Sequence, residues 1–491
     1  MKKYVISLDQ GTTSSKALLF DRDLNLIHKK QKELTQIYPN AGWVEHDPKE
    51  VYESSFSVIN DVIKEAGISA AEICAIGITN QRETAIVWDR YTGEPVYNAI
   101  VWQCRRSASM CDEIKRRKEL FGYIKENTGL IVDAYFSATK VKWILDNVEG
   151  AYDRAKNGDL LFGTVDSWLL YNFTKKHMTD STNASRTMLF NIRDMKWDER
   201  LLSEFDIPKS MLPEVCPSGH VFGETTCFGH TIPIAALSGD QQSSLFGQNC
   251  FEKGDMKNTY GTGCFLLVNT GDEFIQSDSG MITTLASDVG VMRKYAVEGS
   301  VFTGGSVIQW LRDELGILES SAQSEEFALK VKDSLGVVFV PAFTGLGAPY
   351  WNMDVRGSMF GITRGTNKYH IARAALESIA FQCRDVIEVI KQDAKVDISS
   401  LKVDGGATSN NFLMQFQADI TNMEIVRPKM TESTGFGAAL LAGLTVGFFE
   451  SKDEIRQKYK VDRKFVPEMT KDERRKIIDR WKWAVGLVTQ K

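Results

Sequence analysis

The sequence lacks the spacing patterns that hold small folds together through disulfide bonds or metal ions. Its eight cysteines are scattered without a CxxC pair, and its six histidines show no ligand spacing. Disulfide frameworks and structural zinc sites both depend on such spacings. We therefore predict reduced thiols, most of them small buried side chains, and no structural zinc.

Long apolar runs are also missing. The longest stretch of small and apolar residues, 437–449, has 13 residues and contains three glycines, which is too short to span a bilayer. The run from Tyr4 to Leu8 has five residues, fewer than the apolar region of a secretory signal. We therefore predict no membrane span, no targeting segment, a cytoplasmic location and a buried helix at 437–449.

An excess of positive charge is absent too. The 59 Lys and Arg residues are outnumbered by 64 Asp and Glu, for a net charge of −5, so no global basic field would hold nucleic acid or an anionic membrane. Hydrophobic residues make up 43% of the 491 positions, which is ordinary for a globular protein. A chain of this length predicts roughly two to four domains that need no covalent staples.

What the sequence does contain is a mixture of strand and helix patterns. Apolar runs predict strands at Tyr4 to Leu8, Lys16 to Phe20 and Ile73 to Thr79, and an amphipathic helix at Val51 to Ala66. Mixed elements of this kind indicate α/β layers. In the second half, the same patterns predict a strand at 264–268, a helix at 370–392, a strand at 401–403, a helix at 410–420 and, from residue 451, a charged and solvated helical tail.

A weak internal repeat divides the sequence. The segments Leu8 to Thr13 and Thr259 to Gly263 are both Gly/Thr turns that precede a strand. Such similarity indicates two related domains, although two short turns can also match by chance. We predict a boundary in the turn Phe251 to Asp255, with one domain at residues 1–250 and the other at 251–491.

The segment from Asp9 to Lys16 has the composition of a phosphate-binding turn. Gly11 lets the backbone approach an anion, and the hydroxyls that follow it can donate to phosphate oxygens. Asp9 at the strand end can hold Mg²⁺, which prefers oxygen ligands, and Lys16 can balance phosphate charge. The GxxxxGK[ST] loop is absent, and an ordinary polar hairpin turn is the alternative interpretation.

Two further Gly-rich turns strengthen the case for a nucleotide. Gly261 to Gly263 and Asp404 to Ala407 each adjoin an apolar strand, and consecutive glycines permit a close backbone approach to a ligand. Three such turns at strand ends could surround a nucleoside triphosphate. Each of them taken alone could be only a turn.

Polar side chains at two strand ends form a candidate acceptor site. Asn80 to Glu83 follows a buried strand, and Gly239 to Gln242 follows the apolar run Ile232 to Leu237. Strand ends are where α/β folds place their ligands, and these groups suit several hydroxyls. The alternatives are a surface ion pair for Arg82 and Glu83 and a helix N-cap for Asp240.

Several long motifs in order carry a resemblance that covers nearly the whole chain. They are Leu8 to Ser15, Gly77 to Thr84, Thr182 to Thr187, Gly239 to Gln242, Asn258 to Gly263 and Pro341 to Trp351, together with two signature regions at Tyr135 to Asn147 and Gly357 to Glu377. On these motifs the chain resembles the FGGY family of carbohydrate kinases. Asn80 to Glu83 is typical of the glycerol-specific branch and differs from the pentulose and gluconate kinases.

The resemblance implies a role for each matching residue. Hydrogen bonds to glycerol are implied for Arg82, Glu83, Tyr135, Asp240 and Gln241, and packing on its carbon side for Trp102 and Phe265. Contacts to the nucleotide are implied for Thr12, Thr13, Ser14 and Lys16 at the phosphates and for Thr262, Gly305, Gln309, Gly406 and Asn410 from the second domain. Asp9 would support magnesium and Asp240 would be the catalytic base. Lys16 stands where many members have Arg, so its phosphate contact is less secure.

The resemblance also implies a fold and a reaction. The fold is α/β, with two actin-like, ribonuclease H-like domains flanking a catalytic cleft. The reaction is transfer from ATP, with Mg²⁺, to glycerol, giving sn-glycerol 3-phosphate and ADP in glycerol uptake and catabolism. The N-terminal domain would hold glycerol and phosphate, and the C-terminal domain the adenine nucleotide. A homodimer or homotetramer is expected.

Two rival functions belong to other classes. An actin-like assembly or chaperone ATPase would share the phosphate turns but would need no polyol site. A kinase of another polyol or ketose, such as xylulose or gluconate, would share the whole fold. ATP turnover with and without glycerol, and a panel of acceptors, would distinguish them.

Overall fold

The computed structural model describes residues 2–490 and is built around two large β-sheets, one of six strands and one of seven. The strands are β1 Tyr4–Gln10, β2 Ser14–Asp21, β3 Leu26–Glu33, β4 Glu45–His46, β5 Ile73–Asn80, β6 Ile86–Asp89, β7 Ala99–Ile100, β8 Leu160–Gly163, β9 Met178–Asp180, β10 Phe190–Asn191, β11 Lys196–Trp197, β12 Glu214–Cys216, β13 Gly219–Thr225, β14 Ile232–Gly239, β15 Met256–Tyr260, β16 Cys264–Gly271, β17 Ile282–Leu285, β18 Tyr295–Val301, β19 Val338–Val340, β20 Ser358–Phe360, β21 Ser400–Asp404, β22 Glu424–Pro428 and β23 Val461–Phe465.

Helices cover the sheets and fill the connections between the strands. They are α1 Pro48–Glu65, α2 Ala108–Arg116, α3 Lys118–Thr128, α4 Ser137–Asn147, α5 Ala151–Lys156, α6 Val165–Thr174, α7 Ser181–Ala184, α8 Glu199–Glu204, α9 Asp240–Gly247, α10 Ser306–Asp313, α11 Gln323–Leu329, α12 Lys368–Ala394, α13 Asn411–Thr421, α14 Ser433–Thr445, α15 Lys452–Lys458 and α16 Lys471–Thr489.

The two sheets share one arrangement of five strands. In the first sheet, β1, β2 and β3 form an antiparallel meander, β5 lies parallel to β1, and β14 lies parallel to β5. In the second, β15, β16 and β18 form the meander, β21 lies parallel to β15, and β22 lies parallel to β21. The predicted α/β fold with two related halves is thus confirmed, and the paired Gly/Thr turns join equivalent strands.

Most predicted elements lie within three residues of the observed ones. The charged tail predicted from residue 451 is largely helical, but the prediction that it is solvated and helical throughout is wrong. From residue 451 the chain forms α15, the strand β23, which pairs with β22, and α16. Phe465 is 1% exposed and Trp481 is 0% exposed. The many charges of this segment lie on the outer edge of a sheet and the outer face of a helix, where charged side chains are common. These charges made the few buried apolar residues of the segment hard to recognise in the sequence.

The buried helix predicted at 437–449 is confirmed as α14, but it belongs to an unexpected core. Although α14 comes from the second half, it packs on the first sheet, against β5, β1 and β14, and beside α9. Phe436 and Leu440 lie in one buried cluster with Val5 and Phe20. The chain therefore returns to its first half after completing most of the second sheet. The predicted domain boundary at residue 250, between α9 and β15, stays a prediction.

Glycines let α14 approach α9 almost backbone to backbone. A Cβ added at Gly437 would lie 1.8 Å from the Ser243 carbonyl oxygen, and one at Gly247 would lie 2.1 Å from the Ser433 carbonyl oxygen. These contacts are to main-chain atoms, so neither helix could relieve them by a side-chain rotation. The separation of the two helices is therefore set by the absence of side chains.

We expect Gly437→Ala to lower the thermal midpoint, because overpacking a close contact costs about 1–3 kcal/mol or more. The matched control is Gly486→Ala in α16, where an added Cβ would meet nothing within 4 Å. That change should stabilise the protein slightly, since Ala favours a helix interior by about 1 kcal/mol over Gly. Thermal unfolding followed by circular dichroism measures both, and equal midpoints for the two variants would contradict the packing argument.

The cysteines behave as predicted within residues 2–490. Seven are buried, Cys227 is exposed, and all eight are unpaired thiols. Across the same residues, no helix is both long and apolar enough to cross a membrane.

Candidate active site

The predicted phosphate turn joins β1 to β2 in the first sheet. Asp9 lies near the end of β1, opposite Lys16 on β2, and the turn between the strands is closed by a bond of 2.9 Å from the Gly11 amide to the Ser14 carbonyl. Thr12 and Thr13 lie at the tip of this turn, and the Thr12 hydroxyl accepts a hydrogen bond of 2.9 Å from the Trp102 indole. A predicted phosphate residue and a predicted acceptor residue are therefore in direct contact.

Lys16 lies between two carboxylates. Its ammonium donates to Glu432 Oε2 at 2.6 Å, and Glu432 immediately precedes α14. Burial lowers the pKa of Lys16, but the Asp9 and Glu432 carboxylates outweigh burial and raise it overall. The ammonium is thus held charged beside the turn, and its predicted contact to a nucleotide phosphate stays a prediction.

Asp9 is a carboxylate in a poor environment for a negative charge. Burial, together with the Asp240 and Glu432 carboxylates, raises its pKa to about 7 despite the opposing charge of Lys16. A cation beside Asp9 would relieve this cost. Between residues 2 and 490, no group of three or more His, Cys, Asp or Glu side chains could hold a metal alone. An ion at Asp9 would therefore need phosphate and water oxygens as further ligands.

The candidate acceptor residues meet where β5 and β14 end side by side. Arg82 follows β5, and Asp240 is the first residue of α9, directly after β14. Arg82 Nε lies 3.0 Å from Asp240 Oδ1. The Gln241 side chain donates to Asp240 Oδ2 at 3.3 Å. Because the carboxyl ends of these parallel strands meet at one sheet edge, residues 158 positions apart in sequence form one cluster.

The interpretation of Arg82 and Glu83 as a surface ion pair is wrong. Their side chains are 2% and 1% exposed, and Arg82 Nε is 3.8 Å from Glu83 Oε1. Arg82 is held mainly by Glu298, and Glu83 is paired with Arg186. The N-cap interpretation of Asp240 is also wrong, because Gly239 occupies the cap and Asp240 is the first helical residue.

Two buried carboxylates in this cluster differ in charge environment. Burial alone would raise the pKa of Glu298, but the Arg186 and Arg82 guanidiniums outweigh it and hold the pKa at about 2. Burial raises the pKa of Glu83, and the same two guanidiniums offset only part of the rise. Asp240 is the accessible carboxylate of the group, with 31% of its side chain exposed.

Aromatic side chains line the neighbouring surface. Trp102 and Tyr135 meet edge to face, with ring centroids 5.5 Å apart, and the Arg186 guanidinium lies 5.5 Å from the Tyr135 ring centroid. Phe265 is half-buried on β16, opposite Thr259 and Ser300. Trp102 and Tyr135 are thus together, whereas Phe265 comes from the second sheet.

The structure also gathers most of the predicted nucleotide residues of the second half. The Thr262 carbonyl accepts from the Gly304 amide at 2.8 Å, and the Gly261 carbonyl accepts from the Gly305 amide at 2.8 Å. Gly405, with φ of 91°, packs on the Tyr260 backbone and precedes Gly406. Gln309 is exposed in the first half of α10. The Asn410 side chain caps α13 by accepting a hydrogen bond from the Leu413 amide.

Three charged residues of the cluster were given no role from sequence. Arg186 is 0% exposed and its Nη1 has no hydrogen-bond partner within residues 2–490. Glu298 is 1% exposed and Lys257 is 0% exposed, each inside an otherwise largely apolar or neutral strand. A single charge within a buried strand was a usable signal, since such residues are almost never fully buried unless paired.

Comparison with known families accounts for this arrangement. The pattern described as the N-terminal domain of the FGGY family of carbohydrate kinases matches residues 4–247, and the C-terminal domain of the same family matches residues 256–446. The chain belongs to the FGGY family of carbohydrate kinases. The resemblance stated from the motifs is therefore confirmed. The first matched domain contains the six-stranded sheet, and the second contains every strand of the seven-stranded sheet except β23.

Curated relatives match this carbohydrate kinase over its full length. A protein named glycerol kinase from Fusobacterium nucleatum is 59% identical over 488 residues, covering 98% of each chain. One of the same name from Clostridium beijerinckii is 58% identical over 490 residues, covering 99% of this chain and 98% of its own.

Solved structures share the fold. A crystal structure of Plasmodium falciparum glycerol kinase with ADP has a TM-score of 0.94 at 37% identity and covers 99% of this chain and 98% of its own. A ligand-bound xylulose kinase from Lactobacillus acidophilus has a TM-score of 0.89 at 24% identity over 99% of this chain and 97% of its own, which shows the common fold alone.

Proposed function

We propose that this kinase transfers the terminal phosphoryl group of ATP to glycerol, forming sn-glycerol 3-phosphate and ADP. The observation that carries the proposal is the cluster in which the accessible Asp240 carboxylate lies 3.0 Å from the buried Arg82 guanidinium. Full-length relatives at 58–59% identity that bear the name glycerol kinase support the choice of acceptor.

Glycerol would bind in the first domain, at residues 1–250, between the polar cluster and two aromatic side chains, of which Phe265 comes from the second domain. Arg82, Glu83, Tyr135, Asp240 and Gln241 would hydrogen-bond its hydroxyls, while Trp102 and Phe265 would cover its carbons. A site whose buried polar groups are paired by substrate hydroxyls rejects analogues that lack them, because those groups would be left unpaired.

Asp240 would accept the proton of the attacking hydroxyl. Its side chain is 31% exposed, whereas that of the competing carboxylate Glu83 is 1% exposed and paired with Arg186. A base must come within hydrogen-bond reach of the proton it removes, and Asp240 has the access that Glu83 lacks. Arg82 and Gln241 would hold both the base and the acceptor hydroxyls in place.

ATP would bind across the two domains. The turn with Thr12, Thr13 and Ser14, together with Lys16, would meet the phosphates, and the second domain at 251–491 would hold the rest of the nucleotide through Thr262, Gly305, Gln309, Gly406 and Asn410. Mg²⁺, held through Asp9, would neutralise charge on the phosphates. The raised pKa of Asp9, about 7, fits a carboxylate whose negative charge a bound cation would stabilise.

Two further features belong to the proposal. The unpaired thiols of residues 2–490 fit a reducing compartment and so the predicted cytoplasmic location. The predicted homodimer or homotetramer would be measured by sedimentation.

A coupled assay of ADP release tests the proposed function. We expect turnover with glycerol to exceed turnover without an acceptor by at least about a hundredfold, a modest part of the acceleration that enzymes achieve. Dihydroxyacetone, xylulose and gluconate are the comparison acceptors at matched concentrations. A higher kcat/KM for xylulose or gluconate would assign another acceptor, and equal ADP release with and without acceptors would favour an assembly or chaperone ATPase.

A further inference from the structure

Three residues of the second sheet form a row that faces the acceptor site of the first half. Lys257 on β15 and Glu298 on β18 are both register partners of Leu267 on β16. Side chains directly opposite each other on neighbouring strands project from the same face of a sheet. Lys257 and Glu298 therefore stand on one face, one strand apart, with Leu267 between them.

Glu298 holds Arg82 by two parallel bonds. Arg82 Nη1 donates to Oε2 at 2.6 Å and Nη2 donates to Oε1 at 3.1 Å, which is the bidentate geometry that fixes a guanidinium in its plane. Nη1 also donates to Gln242 Oε1 at 3.2 Å. With the guanidinium held in this way, its Nε lies 3.0 Å from Asp240 Oδ1. The direction in which Arg82 presents Nε is thus set by a carboxylate of the other half.

Lys257 holds Gln241 in a similar way. Its buried ammonium donates to Gln241 Oε1 at 2.5 Å and to Thr259 Oγ1 at 2.8 Å. An ammonium can only donate, so it requires the amide oxygen of Gln241 on its own side. The amide NH₂ is then turned to Asp240, where it donates to Oδ2 at 3.3 Å.

We propose that Glu298 and Lys257 are positioning residues that aim Arg82 and Gln241 at Asp240 and at glycerol. This inference rests on the proposed function of the same site. Because β15 runs from Lys257 to the turn at Gly261, the strand that reaches the nucleotide turn also completes the acceptor site. The first half alone would then lack an oriented site for the acceptor.

The test uses Glu298→Gln and Lys257→Met in the full-length enzyme, each of which keeps the approximate shape and removes the charge. We expect the glycerol KM to rise about tenfold to a hundredfold, as for loss of a charged hydrogen bond, while the ATP KM changes less than about twofold. Glu298→Asp, which restores the charge, should recover part of the loss. The control is Asp288→Asn, a buried carboxylate bound to Lys294 and Lys452, which should leave both KM values unchanged.

Double-mutant cycles decide whether the effects pass through the proposed partners. In a Gln241→Ala background, Lys257→Met should change the glycerol KM less than about threefold. In an Arg82→Lys background, the effect of Glu298→Gln on the glycerol KM should be reduced in the same way. The inference would be overturned if the paired substitutions had multiplicative effects on the glycerol KM. It would also be overturned if the single variants raised the glycerol and ATP KM values equally. If the wild type does not phosphorylate glycerol, the proposed function fails instead. If Glu298→Gln does not fold, Glu298→Asp replaces it in the same double-mutant cycle.

Discussion

Asp240→Asn is expected to lower kcat with glycerol at least about a hundredfold, because general-base catalysis contributes about 10²–10⁴-fold. The substituted amide keeps one oxygen for Arg82 Nε and the Gln241 backbone N–H, which lie 3.0 and 2.7 Å from Asp240 Oδ1, but it cannot accept the proton. The protein should stay folded and bind ATP normally, since the Asp240 side chain is 31% exposed and asparagine has nearly the same shape. Steady-state kinetics and ATP titration measure both.

Glu83→Gln is the matched comparison, because Glu83 is the competing carboxylate of the cluster. It is buried against Arg186, so Glu83→Gln should raise the glycerol KM and lower the thermal midpoint. Its effect on kcat should be smaller than that of Asp240→Asn. A transfer with a loose transition state needs the base only late, which would reduce the effect at Asp240. If Asp240→Asn were nearly as fast as the wild type while Glu83→Gln was slow, the base would be Glu83 or a water molecule.

Arg82→Ala is expected to raise the glycerol KM at least about tenfold, since a charged group left unpaired in a buried site costs more than the 1–3 kcal/mol of a neutral one. The ATP KM should change far less. The structure adds a second effect. Glu298 would lose its bidentate partner and keep only Arg186, at 3.3 Å, so the thermal midpoint should fall as well, because breaking a buried pair costs about 3–5 kcal/mol.

Arg82→Lys separates these two effects. Lysine keeps a charge near Glu298 but cannot form the two parallel bonds, so stability should largely return while glycerol affinity stays poor. Arg373→Ala in α12 is the control: this arginine pairs with Glu377 at 2.8 Å and touches no residue of the site, so only the thermal midpoint should move. An unchanged glycerol KM for both Arg82 variants would remove Arg82 from the acceptor site.

Local patterns predicted several of the main strands and helices. The hairpin of β1 and β2, the strand β5 and the helix α12 were all found from apolar periodicity, because each has one continuous buried face or a fully buried run. The same reasoning misjudged the segment after residue 451, where Trp481 is 0% exposed among many charges. The four buried residues of α16 are Ile478, Trp481, Ala484 and Val485. They lie among charged side chains, so the composition of the segment concealed their helical spacing.

The candidate site was predictable only in part. Motifs placed Arg82, Asp240 and Gln241 at strand ends, and parallel strands bring such ends together. They gave no partner for Arg82 beyond its neighbour Glu83, because adjacent residues are the only contacts that a sequence shows directly. The structure replaced that partner with Glu298, which is 216 positions away.

By itself, the sequence determined the α/β class, the two related halves, the family and the residues that end the key strands, since these depend on local periodicity and on motifs that are contiguous in the chain. Only the tertiary structure decided that α14 packs on the first sheet, that Lys257 and Glu298 reach the acceptor cluster, and that Asp240 rather than Glu83 is accessible. Those features arise from strand register, from glycines that let α9 and α14 touch, and from burial, which is set by distant segments packing together.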